Sequence, residues 1–327
     1  MTRTQSGTAS RPSRAKVILA FAAIYIIWGS TYLGIRYAIE TLPPFLMAGA
    51  RFSLAGAIMF AWAKFKGDKG GWSWTHWRRA FFIGALLLLC GNGGVTWAEK
   101  YIASGLAALL VATEPVWVVV FNWVITRRRP NGKVLFGVLI GLAGVALLVG
   151  GGLDQDPEVA GMGLAGAGVV MLASLAWASG SVYVNRRPIK ESTSLASGME
   201  MLGGGSLLLL LGLLVGDFGR LNLARASWVS IVAFAYLTIF GGLVAFTAYA
   251  WLLRNVSTAR AATYAYVNPA VAVFLGWLLA NEPLTMRVLI AAAVIVGSVA
   301  LITTYGGEHA AEAKELHDSE CPVSPCT

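Results

Sequence analysis

A carboxylate and a proline stand side by side in the apolar stretch LLVATEPVWVVV, residues 109–120. An ionised side chain at the centre of a bilayer costs roughly 2.5–3.5 kcal/mol on insertion scales, so an acid kept there usually has a function. Glu114 is therefore a candidate for binding a substrate amine or for exchanging a proton. The alternative is a protonated glutamic acid that bonds to a neighbouring helix and has only a structural role.

Each of two prolines follows a polar residue in an apolar segment, first as Glu114-Pro115 and later as Asn268-Pro269. A proline removes one backbone N–H, which leaves a carbonyl near Val111 or Ala265 without its partner within the helix. Backbone groups freed at membrane depth are tolerated only against protein or in a water-filled cavity. We therefore predict that Pro115 and Pro269 are helix breaks and that Glu114 and Asn268 face a cavity.

Two further charged residues lie within predicted spans. Arg51 and Glu200 are each about 10 Å from the start of their span, counting 1.5 Å per residue. Arg51 is a candidate for the substrate pathway, although the preferred interpretation is structural, with the guanidinium satisfying carbonyls or pairing with a carboxylate. Glu200 has the same two interpretations, because the glycines of GGGS just after it suit close helix packing. Other charges, Glu99, Lys100 and Glu282, lie near span ends, where we expect them to reach the interface.

Aromatic residues are frequent in the segments that hold these polar positions. A cavity of rings with few polar groups suits solutes that carry an ammonium group, through cation–π contacts. Rings in spans more often face lipid or the interface, so only some of them are expected in a pathway. The candidates are Trp28, Tyr32, Trp97, Trp177, Tyr183 and Tyr266, from a wider set that includes Tyr249 and Tyr264.

Ten predicted membrane-spanning helices would position these residues. Only 13% of the 327 residues are charged and 57% are hydrophobic, whereas soluble proteins carry about 25% charged residues. A spanning helix needs roughly 20 apolar residues. The predicted spans are 17–39, 43–63, 80–98, 103–125, 134–151, 161–183, 193–215, 228–249, 258–280 and 286–305. The fifth and tenth have no ionisable residue in mid-span, so we interpret them as peripheral scaffold.

The basic residues indicate orientation rather than nucleic-acid binding. The net charge is +9, and most Lys and Arg residues fall on the side of the membrane that holds both termini. Positive charge collects on the cytoplasmic side of membrane proteins. The sequence thus predicts cytoplasmic tails at residues 1–16 and 306–327, and lipid rather than nucleic acid around the chain.

The two halves of the chain resemble each other. GSTY at residues 29–32 recurs as GSVY at 180–183, and GVALL at 144–148 is answered by SVALI at 298–302. At one constant offset Trp97 matches Trp251 and Glu114-Pro115 falls on Asn268-Pro269. The predicted repeats are residues 17–152 and 161–305. Because each contains five spans, an odd number, the second repeat must enter the membrane from the opposite side, which makes the repeats inverted.

The segments YIIWGSTYLGIRYAIETLPPFLMAGARF, residues 25–52, and YAYVNPAVAVFLGWLLANEPLT, residues 264–285, resemble the drug/metabolite transporter superfamily. The closest resemblance is to its ten-helix EamA group, and it covers nearly the whole chain. It implies a bacterial inner-membrane carrier with inverted five-helix repeats and a pathway framed by spans 1–4 and 6–9. That group includes exporters of amino acids and other metabolites, the aromatic-amino-acid exporter among them.

Three functions remain open at this stage. The leading one is a secondary exporter of small metabolites, above all amino acids, which works by alternating access. The second is a multidrug or organic-cation exporter that uses the proton as coupling ion through Glu114. The third, a membrane enzyme, is disfavoured because all three histidines lie outside the spans and no HExxH or nucleophile-elbow motif occurs. We expect no cofactor and no metal, and either a monomer or a homodimer.

Overall fold

The fold is known from a computed structural model, which describes residues 13–70, 73–127, 129–149, 157–186, 192–255 and 263–320. A few side chains within these ranges, among them that of Tyr266, are not described. Every regular element in the described ranges is a helix, which confirms the all-α prediction.

The described chain forms ten main helices, which we name α1 to α10. They are α1 Arg14–Ile39, α2 Pro44–Phe65, α3 Trp74–Ala98, α4 Ser104–Val111 with Glu114–Thr126, α5 Gly132–Val149, α6 Pro157–Arg186, α7 Thr193–Leu214, α8 Trp228–Tyr249 with its continuation to Asn255, α9 Tyr264–Ala280 and α10 Met286–Glu320. A short helix, Asp217–Arg220, and a 3₁₀ turn, Leu223–Arg225, connect α7 to α8.

Seven of these helices, α1 to α4 and α6 to α8, are long and apolar enough to cross a membrane. The apolar parts of α5, α9 and α10 are shorter, at Gly132–Leu148, Val267–Ala280 and Met286–Ile302. At 1.5 Å per residue, 17 residues give about 25 Å of helix, a little less than the roughly 30 Å of hydrocarbon. Each predicted span falls on one of the ten helices, and for these three the crossing itself stays a prediction.

The last helix extends beyond the end of the predicted tenth span. The backbone of α10 stays helical to Glu320, through the stretch EHAAEAKELHDSE. Alanine, glutamate, leucine and lysine are strong helix formers, so this polar stretch continues the helix that the apolar one begins.

Three helices contain a wider π-helical stretch, namely α1 at Ile24–Trp28, α3 at Ala85–Asn92 and α8 at Leu237–Ala245. Such stretches are rare in proteins, and those that occur are often found at functional sites. The stretches in α3 and α8 are separated by nearly the same number of residues as Glu114 and Asn268, so they occupy corresponding places in the two halves. In α6, which corresponds to α1, the described backbone is regular α-helix throughout.

Two helix ends share an unusual backbone conformation. Arg127 ends α4 with φ of 57° and Asn281 ends α9 with φ of 51°, and they are the two non-glycine residues with positive φ in the described part of the chain. The left-handed region is uncommon for residues other than glycine. The offset between Arg127 and Asn281 equals that between Glu114 and Asn268, so the two halves agree in backbone geometry as well as in sequence.

The main helix contacts have the same symmetry. Helix α1 packs on α8 and α9, and α6 packs on α3 and α4. The pairs α2–α7, α4–α9 and α5–α10 join each helix to its counterpart in the other half. Exchanging the first five helices for the last five leaves this pattern unchanged.

Helices α2 and α3 meet α7 along a seam of small residues that we call the glycine seam: Gly49, Gly56, Gly84, Gly198, Gly203, Gly204 and Gly205. A Cβ atom on Gly84 would lie 2.5 Å from the backbone nitrogen of Gly204 and 2.7 Å from the carbonyl oxygen of Glu200. Backbone atoms cannot move aside as a flexible side chain can. The seam therefore brings the helices closer than any side chain would permit.

We expect Gly84→Ala to lower the stability of the purified protein by about 1–3 kcal/mol, because the added methyl group overpacks two backbones. Gly168→Ala is the matched control, since a Cβ on Gly168 in α6 meets nothing within 4 Å. Thermal unfolding in detergent measures both changes. Equal unfolding temperatures for the two variants would contradict the close approach at Gly84.

Candidate functional site

A central cavity, with a volume of about 830 Å³ including its open mouth, lies among seven of the helices. Its lining comes from α1, α2, α3, α4, α6, α8 and α9. Most of the lining is apolar, and the charged lining residues are Arg51 and Glu114. The uncharged polar lining residues are Thr31, Tyr32, Asn92, Ser174, Tyr264 and Asn268.

Glu114 reaches the cavity because α4 is interrupted next to it. The helix stops at Val111 and restarts at Glu114, with Ala112 and Thr113 between the two segments. The hydroxyl of Thr113 donates to the carbonyl oxygen of Leu110 at 2.7 Å, which satisfies one of the carbonyls freed by the interruption. Pro115 is then in the first turn of the new segment, where a missing N–H leaves no bond unmade.

The carboxylate of Glu114 is buried and has one hydrogen bond among the described residues. Only 8% of the residue is exposed, and its Oε2 accepts a hydrogen bond from the Tyr264 hydroxyl at 2.8 Å. As the first residue of a 13-residue helical segment, Glu114 also lies at the positive end of a helix dipole. These two interactions favour a negative charge at the cavity wall, and burial of the carboxylate opposes them.

Asn268 also lines the cavity, on the helix that corresponds to α4. The residue is 5% exposed, and its Oδ1 has no hydrogen-bond partner in the part of the chain that the structure describes. Helix α9 continues without interruption from Tyr264 to Ala280 with Pro269 inside it, so the predicted helix break at Pro269 was wrong, whereas α4 is interrupted just before Pro115. The difference follows from position: α9 begins only five residues before Pro269, so the missing bond falls close to the helix start.

Three aromatic rings form a cluster that is connected to the Glu114 carboxylate through the hydroxyl of Tyr264. The ring of Tyr264 lies edge-on to the rings of Trp28 and Tyr249, with distances between ring centres of 5.4 Å and 5.7 Å. The ring centres of Trp28 and Tyr249 are 4.9 Å apart. The sequence analysis singled out Tyr266 rather than Tyr264. Helical spacing would have pointed to Tyr264, because residues four apart share a face of a helix and Asn268 is four residues on.

Arg51 forms the opposite charge of the cavity. It is 4% exposed, its guanidinium donates to Oδ1 of Asn92, and it lies 4.3 Å from the centre of the Phe52 ring. Its Nε has no hydrogen-bond partner among the described residues. Asn92 was not predicted, since an asparagine alone in an apolar span gives no signal of which helix it faces.

The remaining predicted residues do not all meet here. Trp28, Tyr32 and Trp177 line the cavity, whereas Trp97 packs against Tyr101 at 4.9 Å and Tyr183 against Phe82 at 5.1 Å. Glu200 lines a separate, smaller cavity with His76 and Arg79. The side chain of Tyr266 lies outside the described part of the structure.

Two acids that were expected to reach the interface are instead buried. Glu99 is 3% exposed and Glu282 is 9% exposed, so that expectation was wrong for both. Glu282 accepts hydrogen bonds from the backbone and the hydroxyl of Ser104, both at 2.8 Å, and from the backbone of Gly105 at 3.0 Å. An ion pair of 3.6 Å joins it to Arg36. We call this set the Glu282 clamp; it ties the end of α9 to the start of α4 and to α1.

Within the described ranges, no group of three or more His, Cys, Asp or Glu side chains is placed to hold a metal ion.

The comparisons with known proteins agree on a family and a fold. The model of the EamA-like transporter family matches the chain at residues 15–150 and again at residues 164–304. The chain is 40% identical over 286 residues to "Uncharacterized inner membrane transporter YedA" of Escherichia coli (strain K12), covering 87% of this chain and 89% of that protein. It is 25% identical to "Uncharacterized transporter YoaV" of Bacillus subtilis (strain 168), covering 86% and 94%.

A solved structure titled "Crystal structure of protein" has the same fold. It matches with a TM-score of 0.61 at 22% identity, over 89% of this chain and 98% of the other.

Proposed function

Because this chain belongs to the EamA-like transporter family, we propose that it is a secondary transporter that exports amino acids across the bacterial inner membrane by alternating access. The membership confirms the resemblance that the sequence analysis found. Membership of this family identifies the chain as a membrane transporter. The cargo, the direction of transport and the mechanism are what we propose. The membrane is inferred from the inner-membrane transporter of Escherichia coli that is 40% identical to this chain.

One observation carries the choice of cargo, namely that Glu114 and Arg51 line the same cavity. A free amino acid has an ammonium group and a carboxylate, and a cavity with one acid and one base offers a partner to each. Glu114 accepts from the ammonium group, and the guanidinium of Arg51 donates to the carboxylate. The Asn268 oxygen, which has no hydrogen-bond partner among the described residues, is a second acceptor in the cavity lining, on the helix that packs against α4.

The rest of the lining favours an apolar or aromatic side chain on the amino acid. Ile35, Leu88, Val95 and Leu237 contribute apolar surface, and Phe52 and Trp177 contribute rings. A charged side chain would lose its hydration there without gaining a partner.

The packing symmetry supports alternating access through inverted repeats. The main contacts between the halves keep their pattern when the halves are exchanged, as alternating access through inverted repeats requires. The cavity lies between them, with α5 and α10 packed mainly against each other outside it. In this proposal residues 17–152 and 161–305 are the two repeats, and both termini are cytoplasmic.

A second candidate, an exporter of organic cations, is favoured by the rings of Trp28, Tyr249 and Tyr264 beside Glu114. Aromatic faces and a carboxylate together bind an ammonium or quaternary ammonium group without needing Arg51. The two candidates differ in whether the cargo must carry a carboxylate.

Counterflow in proteoliposomes tests the proposal. The probes are radiolabelled L-phenylalanine and L-leucine, each paired with the amine that lacks only the carboxylate, phenethylamine and isoamylamine, with and without a pH gradient. Counterflow of the amino acids in preference to the amines is the expected result. Transport of the amines alone would establish the organic-cation exporter, and transport of neither pair would overturn the amino-acid assignment.

We expect Arg51→Gln to lower amino-acid counterflow by about ten- to a hundredfold, because a hydrogen bond to a charged group contributes about 1.5–3 kcal/mol. Counterflow of the amines, which have no carboxylate, is expected to change much less. Arg225→Gln is the matched control, since Arg225 is exposed in the 3₁₀ turn before α8 and loses the same charge. If counterflow of amino acids and of amines fell equally, Arg51 would have a structural role and would not bind the cargo.

A further inference from the structure

Glu99 is a buried acid that the proposed transport step does not use. It directly follows α3, only 3% of it is exposed, and neither carboxylate oxygen has a hydrogen bond of normal geometry among the described residues. Among the described residues, the backbone of Arg36 is the one donor that acts on this carboxylate. An ionised carboxylate in this position depends on nearby positive charge, because burial without a partner is costly.

Four charged or titratable groups act on Glu99 from the elements packed around it. They are Tyr32 and Arg36 on α1, Arg51 on α2, and Glu282 after α9. The next residue in the chain, Lys100, is exposed and lies over the ring of Tyr101 at 5.7 Å. Of the two arginines, Arg51 therefore supplies the buried positive charge, whereas the side chain of Arg36 is 37% exposed and is also reached by water.

Arg36 is already engaged by the Glu282 clamp, in which it forms an ion pair of 3.6 Å. Arg51 donates to the neutral Asn92 and has an unused Nε, so in the described part of the chain it is the guanidinium left to balance Glu99. Arg51 is also the residue that lines the cavity. The same guanidinium thus acts on a buried carboxylate of the protein and lines the cavity in which the cargo would bind.

We propose that Glu99 and the carboxylate of the cargo alternate as the charge partner of Arg51, so that each amino acid bound is accompanied by one proton taken up on Glu99. This inference rests on the proposed function, since it needs a cargo with a carboxylate. The proton comes from solvent, binds a carboxylate oxygen of Glu99, and returns to solvent when the cargo leaves.

A proton is taken up because it keeps the net charge of this group of residues unchanged when the cargo binds. With Glu99 and Glu282 ionised, the two acids balance Arg36 and Arg51. A cargo carboxylate adds one negative charge to this buried group, and a proton on Glu99 restores the balance. The cargo ammonium group meets Glu114 separately. One proton taken up per cargo makes the affinity rise about tenfold for each unit by which the pH falls, over the range in which Glu99 titrates.

This sign distinguishes Glu99 from Glu114. An ammonium group needs an ionised Glu114, so titration of Glu114 would weaken binding as the pH falls. Binding that strengthens at lower pH requires a group that is protonated when the cargo is bound.

The test measures binding and proton uptake by the full-length protein in nanodiscs. Binding of L-phenylalanine and L-leucine is followed by calorimetry from about pH 5 to about pH 8, the range in which buried carboxyl groups titrate. A pH indicator in weakly buffered solution counts protons. The amines phenethylamine and isoamylamine are the probes without a carboxylate.

For the wild type we expect about one proton taken up per amino acid, tighter binding at lower pH, and no uptake with the amines. Glu99→Gln should bind the amino acids without proton uptake and with the pH slope lost. Glu40→Gln, at the exposed end of α1, is the control and should behave as the wild type.

Proton uptake that persists in Glu99→Gln would overturn the inference, and so would its absence in the wild type, a result that does not depend on the variant folding. In both cases the proposed function stands if the amino acids bind. A wild type that binds neither amino acid would instead overturn the proposed function, and the inference with it.

Discussion

Glu114→Gln is expected to reduce counterflow of both the amino acids and the amines by about a hundredfold or more. The carboxylate is the acidic group that lines the cavity among the described residues, and each probe carries an ammonium group that needs it. A buried charge pair that loses one partner costs about 3–5 kcal/mol, which leaves the cargo cation without compensation. Counterflow in proteoliposomes, corrected for the amount of inserted protein, measures the loss.

The glutamine variant should still fold, because its amide oxygen can accept the hydrogen bond that Tyr264 now donates to Glu114. Tyr264→Phe is the companion variant, since it removes that hydrogen bond and leaves the carboxylate. We expect it to lower counterflow far less than Glu114→Gln. Full transport by Glu114→Gln would contradict the role of this carboxylate and return Glu114 to the structural interpretation.

Glu282→Ala is expected to destabilise the protein by about 3–5 kcal/mol, because each buried hydrogen-bond donor left without its acceptor costs about 1–3 kcal/mol. The substitution leaves the backbone N–H groups of Ser104 and Gly105 without an acceptor at the start of α4. Thermal unfolding in detergent measures the effect, and Glu40→Ala provides an exposed acid for comparison. An unfolding temperature equal to that of Glu40→Ala would show that the Glu282 clamp contributes nothing to stability.

The sequence was sufficient to predict the helices and the two polar positions next to prolines. Long apolar runs mark spans because a bilayer demands them, and an acid in such a run is rare enough to be noticed. The constant offset between the halves identified Asn268 as the counterpart of Glu114. The structure then placed both residues on the wall of one cavity.

Side chains that act across helices were harder to predict. Asn92, Tyr264 and the Glu282 clamp depend on how helices that are distant in the chain turn toward each other, which hydrophobic periodicity does not specify when a helix is apolar on every side. Glu99 and Glu282 look like ordinary helix-end residues in the sequence. Their burial results from the packing of the segments that follow α3 and α9 against α1 and α4.

The glycine seam also limits how this protein can vary. Where α7 meets α2 and α3, backbone lies against backbone, so the size of a side chain decides whether a substitution is acceptable, whatever its polarity. On the outward face of α7, leucines such as Leu210 and Leu213 are exposed, so one apolar residue can replace another there without meeting the backbone of a neighbouring helix. Substitutions in these helices are therefore expected to accumulate on their lipid-facing side, while related proteins keep small residues at the positions of the glycine seam.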